Sequence, residues 1–240
     1  MAHPYQRIRR LKYYLYKYGI HRLLPDHALK FGGHLSGLSR WIADHQHLGF
    51  SDFPTKDFQY ARRYELHEYV ITKVLDTQAI DFLEFGVSKG DSFRWWVKRV
   101  SDPSARFFGF DTFTGLPEAW GKFKAGDMGN GNEPPVIPDD QRHSFYQGLF
   151  QATLPGFLNT YDGSRRKVIH LDADIYSATL YVLTQIHPYL TPGDVLLFDE
   201  FNVPMHEYKA FTEWVAAFYV DYEVLGAVNN YYQVAVLFKG

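Results

Sequence analysis

The sequence has 240 residues, of which 46% are hydrophobic and 18% aromatic, so it can bury the core of one sizeable domain. A net charge of −2 excludes nucleic-acid binding driven by overall charge, and the absence of cysteine excludes disulfides, thiolate catalysis and cysteine metal sites. No apolar run approaches the roughly 20 residues of a membrane helix, and none follows the N-terminal arginines. We therefore expect a cytoplasmic protein with neither a membrane span nor a signal peptide.

The first 56 residues are predicted to form a helical arm that differs from the rest of the chain. Eight basic residues and one acid, Asp26, precede residue 41, and tyrosines interleave with the charges. The arm is either a solvated helix whose aromatic residues pack on the body, or a lid, an oligomer contact or an anchor for an acidic surface. The first interpretation is favoured because the apolar residues form no single clean stripe. Its aromatic residues are too many to leave in water, so we expect the arm to fold over the cleft or a neighbouring subunit.

Residues 57–240 are predicted to form the main domain, which opens with a helix whose apolar residues recur at three- and four-residue steps. The apolar run Ile80–Phe85 then predicts a buried strand, and Gly86 and Gly90 break it before the next helix. A helix start presents free N–H groups that suit an anion or a carboxylate. The spacing Gly-x-x-x-Gly does not match the Gly-x-Gly-x-x-Gly of dinucleotide sites, and Glu84 would repel a phosphate. The pattern favours a cofactor without phosphate.

After this turn, strands alternate with helices and the chain closes with a hairpin. Further strands are predicted over residues 106–111, 143–150, 167–172, 194–199, 222–228 and 231–238, with helices over 177–190 and 206–219. Asn229 and Asn230 separate the last two strands and tolerate the positive φ of a hairpin turn. This order predicts an α/β fold: a doubly wound, Rossmann-like, seven-stranded sheet that is mostly parallel, with an antiparallel C-terminal strand. The stretch 118–140 is long enough for a functional loop.

Acidic residues recur where the predicted strands end. They are Glu84, Asp111, Asp172 with Asp174, and Asp199 with Glu200. The carboxyl ends of parallel strands form the ligand-binding edge of an open sheet, so these acids predict a polar cleft there. Asp172, Asp199 and Glu200 would supply hard oxygen ligands for Mg²⁺ or a similar ion. Asp174 and Ser177 have the alternative role of capping the next helix.

Four segments together resemble class I S-adenosylmethionine-dependent methyltransferases, and within them the macrocin O-methyltransferase-like group. The segments are residues 83–90, 108–117, 171–177 and 198–201, and the likeness extends over residues 58–240. The resemblance implies transfer of a methyl group from S-adenosylmethionine to a hydroxyl of a small molecule, a sugar or a phenolic natural product. It also implies help from a divalent metal, Mg²⁺.

The resemblance implies a role for each matched position. Glu84 would lie near the ammonium end of the cofactor, and Asp111 would accept hydrogen bonds from the ribose hydroxyls. The full set of expected cofactor-binding residues is Glu84, Gly86, Val87, Ser88, Gly90, Asp111, Thr112, Phe113, Leu149, Phe150 and Asp172. Leu149 and Phe150 would lie near the adenine.

The metal and the base follow the same resemblance with two departures. Asp172, Asp199 and Glu200 would bind Mg²⁺, although the related enzymes carry Asp-Asp where this chain has Asp199-Glu200. Their proposed base is a histidine in the loop after Gly-Leu-Pro, where this chain has none before His143. The catalytic candidates here are Asp172 and His206, while His170, inside a strand, is interpreted as a satisfied core residue.

Two other functions stay open on the sequence alone. One is a non-catalytic methyltransferase-fold binding or scaffold protein, which the two departures motivate. The other is a nucleotide-sugar oxidoreductase, against which the glycine spacing and the terminal hairpin argue. The expected partner is a small hydroxylated molecule and not a nucleic acid, and a homo-oligomer through the N-terminal arm is a further expectation.

Overall fold

The structure, a computed structural model, describes residues 4–240 and is built on one mixed sheet. Its strands are β1 (Phe50–Ser51), β2 (Ile80–Phe85), β3 (Arg106–Asp111), β4 (His143–Gln147), β5 (Arg166–Leu171), β6 (Val195–Phe198), β7 (Tyr222–Val228) and β8 (Gln233–Phe238). Its α-helices are α1 (Pro4–Tyr18), α2 (Asp26–Asp44), α3 (Arg63–Tyr69), α4 (Asp91–Arg99), α5 (Phe150–Leu158), α6 (Tyr176–Ile186) and α7 (Glu207–Phe218).

The sheet has the spatial order β1-β7-β8-β6-β5-β2-β3-β4, and β8 alone among these strands runs antiparallel to its neighbours. Helices cover both faces, with α2, α5, α6 and α7 packed on one core cluster and α3 and α4 on the other. The predicted doubly wound fold is confirmed. The predicted count of seven strands is one short, because β1 has two residues and pairs with β7 without any apolar pattern of its own.

The strand order reverses beside β2, and this reversal positions the site. The chain goes from β2 to β3 on one side, and later returns to β5 on the other side of β2. All six side chains of β2 are buried, as expected for a central parallel strand. Ligands in such sheets bind in the crevice outside the carboxyl ends of the strands where the order reverses.

The largest differences from the predicted ends occur in three elements. The helix expected after residue 57 is a 3₁₀ turn (Tyr60–Arg62), then α3, then a π-helical turn (Val70–Val74). The strand expected over 143–150 stops at Gln147, because Gly148 has φ +140 and turns the chain toward α5. The helix expected over 177–190 gives way to a 3₁₀ turn at Pro188, since proline cannot donate the next helical hydrogen bond.

The arm is helical, as predicted, but the tyrosines of α1 do not pack on the body. Tyr13, Tyr14, Tyr16 and Tyr18 are all at least half exposed. Near its end, α2 joins the core through Leu38 and Trp41, and the Trp41 indole N–H donates to the Tyr222 hydroxyl at 2.9 Å. The division at residue 56 stays a prediction. Over the described residues, no helix combines the length and apolarity that membrane crossing requires.

Candidate active site

A cavity of about 990 Å³ opens at the carboxyl ends of β2, β3, β5 and β6. Eleven of the predicted site residues line it: Glu84, Gly86, Val87, Ser88, Asp111, Thr112, Leu149, Phe150, Asp172, Glu200 and His206. Three others, Gly90, Phe113 and Asp199, are buried and do not line it. None of the described residues of the arm forms part of the wall, so a lid role within the same chain has no support there.

The turn after β2 accepts only glycine at its first position. Gly86 has φ +98, and a Cβ added there would lie 1.7 Å from the carbonyl oxygen of Asp172. Asp111 at the end of β3 holds this turn in place. Its Oδ2 accepts the N–H groups of Val87 and Ser88 at 2.7 and 2.6 Å, while its Oδ1 accepts the Phe113 N–H at 2.7 Å. On the sequence alone Asp111 was interpreted as a ligand-binding residue, and nothing indicated this backbone role.

Glu84 brings a buried carboxylate to the floor of the cavity. The residue is 1% exposed, and its Oε1 lies 3.1 Å from Nδ1 of His170 on the neighbouring strand β5. Its Oε2 is buried and has no hydrogen-bond partner among the described residues. His170 is fully buried, as expected, but only one of its ring nitrogens has a hydrogen-bond partner. Its Nε2, like Glu84 Oε2, has none among the described residues.

Five carboxyl groups gather beside Glu84. They belong to Asp172, Asp174, Asp199, Glu200 and Glu207. Carboxylate oxygens of Asp172, Asp174 and Glu200 lie within 4.8 Å of one another. Within the described chain, Asp199 Oδ1, Glu200 Oε2 and Glu207 Oε1 are buried without a hydrogen-bond partner. Such a group of acids has unsatisfied capacity for a cation.

Arg63 is a site residue that the sequence patterns did not reveal. Its Nη1 lies 3.2 Å from Asp199 Oδ2 and 3.4 Å from Asp172 Oδ2, and its guanidinium stacks 4.2 Å from the Tyr60 ring centroid. The Tyr60 hydroxyl also donates to Asp199 Oδ2. These contacts bridge the ends of β5 and β6. Arg63 lies before the first predicted strand and outside all four family-like segments. Its stretch also carries Arg62, Glu65 and Glu68, so no local signal distinguished it.

The charges of the cluster are poorly compensated. Burial, followed by the repulsion of Asp199, raises the pKa of Asp172, Glu200 and Glu207 well above the usual carboxyl range. The same two causes raise the pKa of Asp174 to about 7. Asp174 also has φ +59, which is uncommon for a residue other than glycine. The site therefore brings together carboxyl groups whose ionised forms are disfavoured, and one of them, Asp174, has a pKa near neutral pH.

His206 lines the cavity immediately before α7. Its Nδ1 accepts the Tyr176 N–H at 3.3 Å, and its ring lies edge-on to Trp120 at 6.3 Å between centroids. Burial lowers the pKa of the imidazole, which favours its neutral form. With Nδ1 accepting, the neutral ring carries its proton on Nε2 and offers a donor rather than a base.

The loop after β3 forms much of the opposite wall. Trp120 and Phe123 pair through their backbones and stack with ring centroids 5.5 Å apart. The Ser88 hydroxyl donates to the Met128 carbonyl at 3.0 Å, which ties this loop to the glycine turn. The loop expected over 118–140 to be functional thus contributes aromatic side chains to the cavity.

Residues 83–201 match the family model described as a methyltransferase domain. This segment, about half of the chain, is a methyltransferase domain. Its relatives include a Streptomyces olivaceus protein named 8-demethyl-8-(2,3-dimethoxy-alpha-L-rhamnosyl)-tetracenomycin-C 4'-O-methyltransferase, which is 28% identical over 62% of this chain and 65% of the relative. Micromonospora griseorubida mycinamicin III 3''-O-methyltransferase is 35% identical over 29% of this chain and 28% of the relative. The matched regions thus span less than two thirds of either relative.

Solved methyltransferase structures share the fold. The calicheamicin methyltransferase CalS11 superposes with a TM-score of 0.57 at 20% identity, over 89% of this chain and 93% of CalS11. The O-methyltransferase NovP gives a TM-score of 0.53 at 20% identity, over 75% of this chain and 79% of NovP. The methyltransferase resemblance predicted from the four sequence segments is confirmed, as is the Rossmann-like fold.

Proposed function

We propose that this methyltransferase transfers the methyl group of S-adenosylmethionine to a hydroxyl of a small molecule, with a sugar of a natural product as the favoured substrate. The observation that carries the proposal is the buried, half-satisfied carboxylate of Glu84 beside a turn that only glycine can form. A ligand with an ammonium group next to a chain that lies against the backbone would satisfy both features. The relatives that are named for O-methylation of sugar-bearing natural products support this substrate class.

The cofactor fits the residues around the turn. Glu84 Oε2 would accept from its ammonium group, and the cavity face of the Gly86 turn would hold its methionine chain. Asp111, Thr112, Leu149 and Phe150 all line the cavity. In the proposed complex, the first two would face the ribose and the last two would offer apolar surface to the adenine. The cofactor supplies a methyl group activated by a sulfonium, whose positive charge the neighbouring acids would favour.

A divalent cation, Mg²⁺ by its preference for oxygen, fits the acid cluster. We propose the ligands predicted from the sequence, Asp172, Asp199 and Glu200, because Asp199 Oδ1 and Glu200 Oε2 are buried and unpartnered within the described residues. Arg63 and Tyr60 would keep the other oxygen of Asp199 occupied and thereby orient its carboxylate. Such an ion polarises a hydroxyl and makes it easier to deprotonate.

Asp174 is the best placed base in this arrangement. It lines the cavity, whereas Asp199 does not, and its carboxyl lies within 4.8 Å of those of Asp172 and Glu200. It would take the proton of the attacking hydroxyl while His206 donates a hydrogen bond from Nε2 that orients the acceptor. His206, the base candidate from the sequence, has this donor role because its Nδ1 accepts the Tyr176 N–H.

The test combines binding and turnover. Calorimetry with S-adenosylhomocysteine should give saturable binding, and S-adenosylmethionine with a panel of glycosylated and phenolic acceptors should give a methyl ether. Asp199→Asn should abolish the thermal stabilisation by Mg²⁺, while Asp174→Asn should keep that stabilisation and lose turnover about a hundredfold. No cofactor binding would refute the proposal. Binding without turnover on any acceptor, and without a metal effect, would favour the non-catalytic binding protein.

We also propose that the arm forms a contact between copies of this chain. Ile8, Leu11, Leu15 and Tyr18 lie on one face of α1, and three of them are at least half exposed. An isolated 15-residue helix is marginal in water, so a partner surface would stabilise it. The first 40 residues carry a charge of +7, which leaves −9 on the rest of the chain, so a second copy has the complementary sign.

Light scattering after gel filtration tests the contact. Leu11→Ser with Leu15→Ser should reduce the mass of the particle, whereas Tyr13→Ser with Tyr16→Ser, on the other face of α1, should not. A monomer before any substitution would contradict the proposal.

A further inference from the structure

We propose that His170 is a positioning residue, which turns Glu84 toward the ammonium group of the cofactor and so makes the enzyme select a nucleoside that carries an intact amino acid. This inference rests on the proposed function and assigns to it a residue outside the predicted site. His170 does not line the cavity and would act only through Glu84.

The geometry assigns His170 the role of orienting the Glu84 carboxylate. Glu84 and His170 are paired in register on β2 and β5, so their side chains leave the sheet side by side. The Nδ1 of His170 lies 3.1 Å from Glu84 Oε1. An ionised carboxylate can only accept, so the proton between them belongs to His170, which holds Oε1 and leaves Oε2 free.

The surroundings hold the imidazole itself. His170 is fully buried, and its ring meets that of His67 edge-to-face at 5.2 Å. The Ser92 hydroxyl lies 3.4 Å from the same Nδ1, and the Trp96 indole N–H donates to His67 Nδ1 at 3.2 Å. This packing prevents rotation of the imidazole, so the direction of Nδ1 is fixed. The contact with Nδ1 then fixes the orientation of the Glu84 carboxylate.

The free oxygen is the part that meets a ligand. Glu84 is 1% exposed, yet it contributes to the cavity wall, and its Oε2 has no partner among residues 4–240. A buried carboxylate oxygen without a donor is costly, and an ammonium group is the strongest donor that could supply the missing bond. The cavity therefore binds the amino-acid end of the cofactor favourably, and this contribution to affinity depends on His170.

Two ligands separate this role from general binding. S-adenosylhomocysteine has the amino acid, while 5′-methylthioadenosine has the same nucleoside and thioether without it. Calorimetry should show that His170→Leu weakens binding of S-adenosylhomocysteine about tenfold or more and leaves 5′-methylthioadenosine unchanged. Glu84→Gln should have the same selective effect, and the double variant should lose little beyond either single one.

Conservative variants make the test specific. His170→Asn places an N–H near the position of Nδ1 and should keep the preference for S-adenosylhomocysteine. Ser92→Ala removes a more distant neighbour of Nδ1, so it should change the ratio of the two affinities less than His170→Leu does. If His170→Leu fails to fold, His170→Gln, whose N–H lies further out, should show the same selective loss.

Two results would overturn the inference. One is an unchanged ratio of the two affinities in the variants without an Nδ1-like donor, and the other is a His170→Asn variant that behaves like His170→Leu. If the unmodified protein bound no S-adenosylhomocysteine, the proposed function would fail first. A normal affinity with an unchanged ratio would refute the role of His170 alone.

Discussion

Replacing Arg63 by Met removes the cation that bridges the ends of β5 and β6. The Arg63 side chain is 8% exposed and its partner Asp199 is fully buried, so the pair lies in the regime of buried ion pairs. Removing one partner there leaves an uncompensated charge and costs about 3–5 kcal/mol of unfolding free energy. Loss of the stacking on Tyr60, at 4.2 Å, adds to that cost.

The neighbouring Arg62 provides a matched control. It pairs with Asp52 at 2.7 Å, but both side chains are about one fifth exposed. Arg62→Met should therefore cost much less than Arg63→Met, because solvent screens this more exposed ion pair. Thermal unfolding in metal-free buffer would compare the two variants, and Arg63→Met should have a melting temperature about 10 °C lower than the unmodified protein.

A second substitution shows whether repulsion causes the loss. Asp199→Asn added to Arg63→Met should restore part of the stability, because it removes one of the buried charges that Arg63 had balanced. Saturating Mg²⁺ should also stabilise Arg63→Met more than the unmodified protein if the acids bind the ion. Equal stability losses for Arg63→Met and Arg62→Met would refute the reasoning that the acid cluster needs this arginine.

Three further predictions follow from contacts outside the arginine bridge. Gly86→Ala should abolish S-adenosylhomocysteine binding and lower the melting temperature, because its Cβ would lie 1.7 Å from a carbonyl oxygen; calorimetry and thermal unfolding check both. Asp111→Ala should weaken the same binding at least tenfold by releasing the turn, and hydrogen exchange should show faster exchange of the Val87 amide. Hydrogen bonds from Arg142 hold the pKa of Asp140 below its usual value. Asp140→Asn should therefore lower the free energy of unfolding by about 1 kcal/mol above pH 4, and this loss should shrink as the pH falls further. Urea unfolding at a series of pH values measures both.

The strands were predictable because the information for them is local. A central parallel strand such as β2 is buried on both faces, so it appears as a continuous apolar run, and the residue types that end it are glycine and acids. The Asn229-Asn230 turn was predictable for the same reason, and both residues do adopt positive φ. Elements without a local signal, such as the two-residue β1, were missed.

The chemistry of the site depends on contacts between distant parts of the chain. Arg63 contacts Asp172 and Asp199, which lie 109 and 136 residues away in the sequence. No sequence pattern near Arg63 indicates those partners. The sequence analysis correctly predicted acids at the strand ends. It could not show that the carboxylate oxygens of Asp111 accept hydrogen bonds from backbone N–H groups. It also could not distinguish the cavity-lining Asp174 from the buried Asp199, because both follow a strand.

The position of β8 has a consequence for how the protein is made. β8 separates β7 from β6 in the sheet, although it follows both in the chain. In a nascent chain that has emerged only through residue 228, β7 therefore cannot be joined to β6. The edge of β6 is then open to unwanted pairing. Tyr232, just ahead of β8, is also needed for the cavity wall. The pocket can thus close only after β8 has been synthesised, and the edge of β6 stays open until then.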